Sequence, residues 1–145
     1  MSFKLAGTLS GVQPTQIKCS VNAGTESSIA PGDLVFIGTG AVAFFLSNGG
    51  AVNADGKYGL AVSTSTETAG AAGTVEVVVA TDLLVRGVVS TPANLNSSLL
   101  YTKCSVDVIG GVQSIDEDDA GAMTIVSIVE GGAEGEITAL VPFTL

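Results

Sequence analysis

The chain of 145 residues contains no histidine and no tryptophan, and only one arginine, Arg86. Without histidine, Ser-His and Cys-His nucleophile pairs cannot form, and the commonest general base is missing. Zinc sites built on histidine are excluded, and so is a four-cysteine site within one chain, because there are two cysteines. Charged residues make up 13% of the chain, against about 25% in an average domain. Aromatic residues make up 5%, which weakens any reading as a stacking sugar cleft. No apolar run approaches the roughly 18 residues of a membrane helix. The longest tight one, Ala41-Val-Ala-Phe-Phe-Leu46, is the size of a strand. The start of the chain has Lys4 but no continuous apolar core and no clear cleavage site, so no secretory signal is expected and synthesis in the cytoplasm is.

What is present is apolar and small. Hydrophobic residues account for 46% of the chain, and mean hydropathy is +0.55. So little ionic surface covers a monomer poorly. A surface of Ser, Thr, Gly and Ala, partly buried against other subunits, is expected, which makes the chain a homo-oligomer. The formal net charge is −9, from 14 acidic and 5 basic residues. That argues against nucleic acid, which needs a basic footprint, and permits docking on a basic protein surface.

The most regular stretch runs from Tyr58 to Val88. Val75, Val77 and Val79 alternate with Glu76, Val78 and Ala80. Period two with β-branched residues predicts a strand buried on one face and half-buried on the other. Residues 58–62 are its expected antiparallel partner. The loop 63–74 between them is Ser, Thr, Ala and Gly with Glu67 as its only charge. A loop of that length is a candidate contact surface. Arg86 lies within an apolar strand, where it is expected to emerge at an edge or to meet a carboxylate, Glu76 or Asp82.

Elsewhere, Phe3, Leu5, Leu9 and Val12 are set among turn residues in 1–14, which reads as an extended arm lying on a partner. Ile17, Cys19 and Val21 alternate as a strand. Pro31-Gly32 suits the centre of a turn. Residues 34–37 and 41–46 read as strands, and Asn48-Gly-Gly50 and Asp55-Gly56 as hairpin turns. Thr91-Pro92 predicts one short helical turn. Residues 99–101 read as strand, and 135–145 as a final strand held to one side of a sheet by Pro142. The expected fold is all-β: a compact barrel or sandwich, with the arm 1–14 and one domain, 15–145. Weak likenesses at offsets of 62 to 65 residues suggest two similar β units, about 30–88 and 96–145.

Three further motifs have a plainer and a sharper meaning. The tetrapeptide Lys-Cys-Ser-Val occurs twice, at 18–21 and 103–106. Buried free thiols are the expected state of Cys19 and Cys104, and a disulfide needs neighbouring strands. Gly38-Thr-Gly40 resembles the start of a dinucleotide fingerprint but opens no helix. Asp116-Glu-Asp-Asp119 is either a solvated hairpin tip or a contact for a divalent cation or a basic partner. No metal or cofactor is assigned.

In their order, Pro31-Gly-Asp-Leu-Val35, Tyr58-Gly-Leu-Ala-Val62, the Gly/Ala loop, Gly73-Thr-Val-Glu-Val77, residues 99–101 and the 135–145 strand resemble the small head-decoration, or cement, proteins of tailed bacteriophages. The resemblance implies a non-enzymatic β-rich knob. It would sit on the outer capsid surface of the virion, often as a trimer, and clamp neighbouring major capsid proteins. It also implies an N-terminal arm in contact with the capsid. Candidate partner-binding residues are Phe3, Lys4 and Leu5 of that arm, which match no family motif, together with Glu67 of the 63–74 loop and Arg86, read from the residues themselves. Alternative readings are another virion or surface-fibre subunit, such as a tail-tube or adhesin-like part, and a carbohydrate-binding β domain.

Overall fold

The computed structural model describes residues 3–24, 28–46, 56–119, 121–129, 136–141 and 143. The strands are β1 (Phe3–Thr8), β2 (Thr15–Val21), β3 (Leu34–Gly38), β4 (Val42–Phe45), β5 (Tyr58–Ala61), β6 (Gly73–Val79), β7 (Leu83–Val88), β8 (Lys103–Ile109), β9 (Val112–Asp116), β10 (Met123–Val129) and β11 (Glu136–Val141). The fold is all-β, as the alternating patterns require.

Strands β2-β4-β3-β5-β6 form a closed barrel. Its alternating positions point inward: Cys19 and Val21 from β2, Val35 and Ile37 from β3, Val75, Val77 and Val79 from β6. β5 and β6 pair antiparallel through Leu60↔Val78 and Ala61↔Val77, as expected. At Gly59 an added Cβ would meet Val77 Cγ1 at 2.4 Å and Val78 O at 2.9 Å, so no side chain fits between these strands. Closure comes from the long β2–β6 ladder and a parallel contact, Ser20↔Val42, between β2 and β4.

The other strands form a curled six-stranded sheet in the order β1-β7-β11-β10-β8-β9. Its segment β9-β8-β10-β11-β7 retraces, strand for strand, the order β4-β3-β5-β6-β2 of the barrel. Even the parallel closing contact recurs, as Val89↔Ile115 beside Ser20↔Val42. The two units with the same order thus span residues 15–79 and 83–141, not 30–88 and 96–145. One of the likenesses at an offset of 65, between Leu34-Val-Phe36 and Leu99-Leu-Tyr101, has no structural counterpart. Residues 34–36 are strand, but Leu99 ends a 3-10 turn and Tyr101 is an exposed turn residue with φ 64°.

A second core lies inside the curled sheet, with Phe3, Val85, Ile115, Met123, Ile125, Ile137 and Ala139. It is continuous with Leu34, Tyr58, Leu60 and Val78 on the outside of the barrel. The outside of the barrel therefore packs against the inside of the sheet. Gln113 locks the two together. It is fully buried, accepts from Leu34 N at 2.7 Å, and donates to Leu34 O at 2.9 Å and Leu46 O at 3.1 Å.

Several sequence expectations are corrected. The presumed arm is an edge strand of the six-stranded sheet: β1 pairs with β7, and Phe3 is 1% exposed. Gly87 makes this possible. A Cβ there would lie 2.6 Å from the Phe3 ring, so the bare backbone of β7 is the floor on which the ring lies. The last strand is central, pairing with both β7 and β10, and ends at Val141. Pro142 and the turn signals at 48–50 and Asp55 lie outside the described residues. The segment between β7 and β8 holds two single-turn 3-10 helices, Pro92–Asn94 and Ser97–Leu99, instead of the one turn expected at Thr91-Pro92. Thr91 precedes the first without a side-chain cap, and Asn96 caps the second by accepting from Ser98 N. Cys19 and Cys104 are both free and buried, one in each core.

Candidate docking face

The outer face of the curled sheet carries its own rows of side chains. Residues directly opposite each other in neighbouring strands project to the same side. One row runs Lys4–Arg86–Thr138–Ser127 across β1, β7, β11 and β10. The next runs Leu84–Leu140–Thr124–Lys103 across β7, β11, β10 and β8. A third row on the same face, beyond Arg86 and Thr138, sets Val88 opposite Glu136. None of these residues belongs to either core. Lys4, Arg86, Lys103 and Ser127 are exposed, and the rest are half-buried.

Thus three of the five basic residues, Lys4, Arg86 and Lys103, share one sheet face of a chain whose net charge is −9. Lys4 and Arg86 are direct cross-strand neighbours, with backbones about 5 Å apart. Like charges placed so cost about 0.2–1 kcal/mol. Among the described residues no carboxylate lies in ion-pair contact with either; the ion pair found there is Lys18–Glu76 at 3.7 Å. The expected partners of Arg86 are otherwise engaged. Glu76 faces Lys18, and Asp82 accepts from Ser10 N at 2.7 Å. The Ser10 hydroxyl and N–H hold the Asp82 carboxyl below its ordinary range. Arg86 therefore emerges from the middle of a sheet rather than from its edge.

β1 forms the rim of this face. Its register slips between Leu5 and Gly7, where Gly7 has φ +109°, so the edge is bulged. Leu9 N donates to Asp82 O at 3.0 Å, and Thr8 Oγ1 donates to Val12 O at 2.6 Å, which folds the following turn back on β7. Leu5, Leu9 and Val12 stay 44%, 62% and 69% exposed. A bulged edge with a lysine is poorly suited to strand addition. The face, not the edge, is the open surface.

The structure thus joins Lys4 to Arg86 and separates the other candidates. Phe3 is in the core. Leu5 faces away from the row, opposite buried Val85. Glu67 is half-buried in the 63–74 loop of the other unit. That loop is a fixed structure. Ser65 Oγ accepts from Ile29 N at 2.9 Å, Thr66 N donates to Thr74 O at 3.0 Å, and Thr68 bridges Ala71. Its exposed side is Thr64, Thr66, Thr68, Ala69, Ala71 and Ala72, a smooth, uncharged ledge.

Other motifs resolve into structure. Gly38 to Gly40 lie at the β3–β4 hairpin and open no helix. The acidic run is split: Glu117 is 4% exposed and accepts from Ser90 Oγ and Asn94 Nδ2, each at 3.2 Å. Asp118 accepts from Asn94 Nδ2 at 2.7 Å. Among the described residues no three thiols or carboxylates converge as a metal cluster. The few aromatics are grouped in a way the sequence concealed. Phe44, Phe36 and Tyr58 form one row across β4, β3 and β5, with ring centroids 6.2 Å and 5.7 Å apart. Phe36 also lines an open cleft of about 580 Å³ with Lys57 and Phe143.

No protein-family model, curated protein or solved structure matches the chain.

Proposed function

We propose that the protein is a non-enzymatic structural subunit that decorates the outside of a bacteriophage head, docking on the major capsid protein through the outer face of β1, β7, β11, β10 and β8. The observation that carries this reading is the sheet face on which Lys4 and Arg86 lie beside Leu84 and Leu140, with Lys103 at the far end of the leucine row. An apolar centre with a charged rim is the composition of a protein contact surface. Lys4 and Arg86, at the β1–β7 end of the face, select an acidic patch on the partner, while the −9 net charge keeps unassembled subunits soluble. A trimer is the assembly that suits three-fold junctions of a shell. There, many weak contacts made at once give avidity. The test is cosedimentation of the full chain with assembled phage heads and with unassembled capsid protein. Binding to heads alone is expected. Binding to neither removes the reading.

A second reading, carbohydrate binding, is favoured by one observation, the Phe44–Phe36–Tyr58 row beside the cleft at Lys57. Sugars stack on exposed rings, and Phe36 and Phe44 are 37% and 40% exposed. A glycan array decides it: binding that is lost in Phe36→Ala supports this reading, and an array without signal dismisses it.

A further inference from the structure

We propose that Asp107, Ser114 and Asp116, on the outer side of the β8–β9 hairpin, form a weak binding site for a hard divalent cation, calcium. The hairpin register pairs Asp107 with Ser114, and Ser105 with Asp116. These side chains share one face, because the alternate positions Val106 and Ile115 point into the core. Asp116 lies two residues from Ser114 on that face, so the two carboxylates flank the serine.

Ser114 is the independent observation. It is 8% exposed, and its Oγ has no hydrogen-bond partner among the described residues. A buried hydroxyl normally finds one. Here two carboxylates stand beside it, and it bonds to neither. Each carboxylate has one oxygen already engaged: Asp107 Oδ1 accepts from Val108 N at 2.9 Å and Asp116 Oδ1 from Asp118 N at 3.2 Å. The Oδ2 atoms and the Ser114 lone pairs remain as donors to a cation. A bound ion would satisfy the hydroxyl through its lone pairs.

The electrostatics are consistent with that geometry. Burial raises the pKa of Asp116, and Asp119, Asp107 and Glu117 add repulsion in the same direction. Among the described residues no lysine or arginine forms an ion pair with Asp107 or Asp116. The bare site is therefore an uncompensated concentration of negative charge. Calcium accepts an irregular shell of oxygens completed by water, whereas magnesium demands a near-ideal octahedron and loses water reluctantly. Two carboxylates and one hydroxyl make a shallow site, with Kd about 10⁻⁴–10⁻³ M.

The test uses thermal unfolding of the full chain at constant ionic strength, with and without CaCl₂ at about ten times that Kd. Calcium is expected to raise Tm of the wild type by about 3 °C. Asp107→Asn and Asp116→Asn should lose the response. Glu136→Gln, which removes one charge elsewhere, should keep it. Asp116→Asn should also raise Tm without calcium, because its carboxylate is repelled, which shows that the variant folds. Isothermal titration with CaCl₂ should give one ion per chain. No wild-type response, an equal response in all variants, or an equal response to MgCl₂ would each overturn the calcium site, and none of them bears on the docking face.

Discussion

Gln113 and Leu34 are joined by a reciprocal pair of hydrogen bonds, 2.7 Å into the glutamine oxygen and 2.9 Å out of its nitrogen. A side-chain amide here does what a neighbouring strand would do for the backbone of β3. It also ties the sheet to the barrel that covers it. Gln113→Leu keeps the volume and removes these bonds, leaving Leu34 N and Leu46 O without the amide and Leu34 O with only the long bond from Leu46 N, 3.5 Å, in a buried interface. A loss of about 2–4 kcal/mol is expected from urea unfolding. A loss near zero would mean that water replaces the amide and that the two units are not locked through it.

Phe3 and Gly87 give the second prediction. Gly87→Ala sets a methyl 2.6 Å from the ring and should dislodge β1. Phe3→Ala should cost about 3–5 kcal/mol. Deleting residues 1–9 should lower Tm strongly, since this removes β1, Phe3–Thr8, from the sheet. Retention of the wild-type Tm in the deletion would restore the arm.

The cysteines give the third. Burial pushes the Cys104 thiol up to about 12 from an ordinary value of 9.0, with Asp116 adding to the shift. Burial also raises Cys19, and Glu76 adds to it. Neither thiol should react with a thiol reagent at about pH 8 until the chain unfolds. The folded state holds the Cys104 proton more tightly than the unfolded chain does. Stability is thus unaffected below about pH 9 and falls as pH rises from there towards 12. Urea midpoints at about pH 8 and about pH 10 should diverge more for the wild type than for Cys104→Ala. Equal divergence would assign the alkaline loss to other groups.

The strands were legible where one face alternates. Thr15–Val21 and Gly73–Val79 present buried residues at every second position, and the pairing of β5 with β6 followed from them. Phe3 was misleading because its cover is Gly87, distant in sequence and silent as a residue type. Leu99, Leu100 and Tyr101 are apolar enough for a strand. Yet Leu99 N donates back to Asn96 O at 3.1 Å, a local bond that closes a 3-10 turn instead. The docking face was half legible. Lys4 and Arg86 stand out by charge, but only the β1–β7 register, with Phe3 opposite Gly87, makes them neighbours. The strand order shared by the two units survives with almost no shared sequence. Even the repeated Lys-Cys-Ser-Val falls on β2 and β8, which hold different places in that order.

The docking face itself makes the fourth prediction. Arg86→Glu and Lys4→Glu relieve a like-charge pair, so each should leave Tm unchanged or slightly higher. Binding to heads should weaken with rising salt in the wild type, because the rim charges are exposed.

The most direct test is cosedimentation with assembled phage heads, comparing the wild type with Arg86→Glu at equal Tm. The expected result is that the wild type pellets with heads and the variant stays in the supernatant. Equal pelleting of both would contradict docking through this face, and a wild type that never pellets would contradict the decoration role altogether.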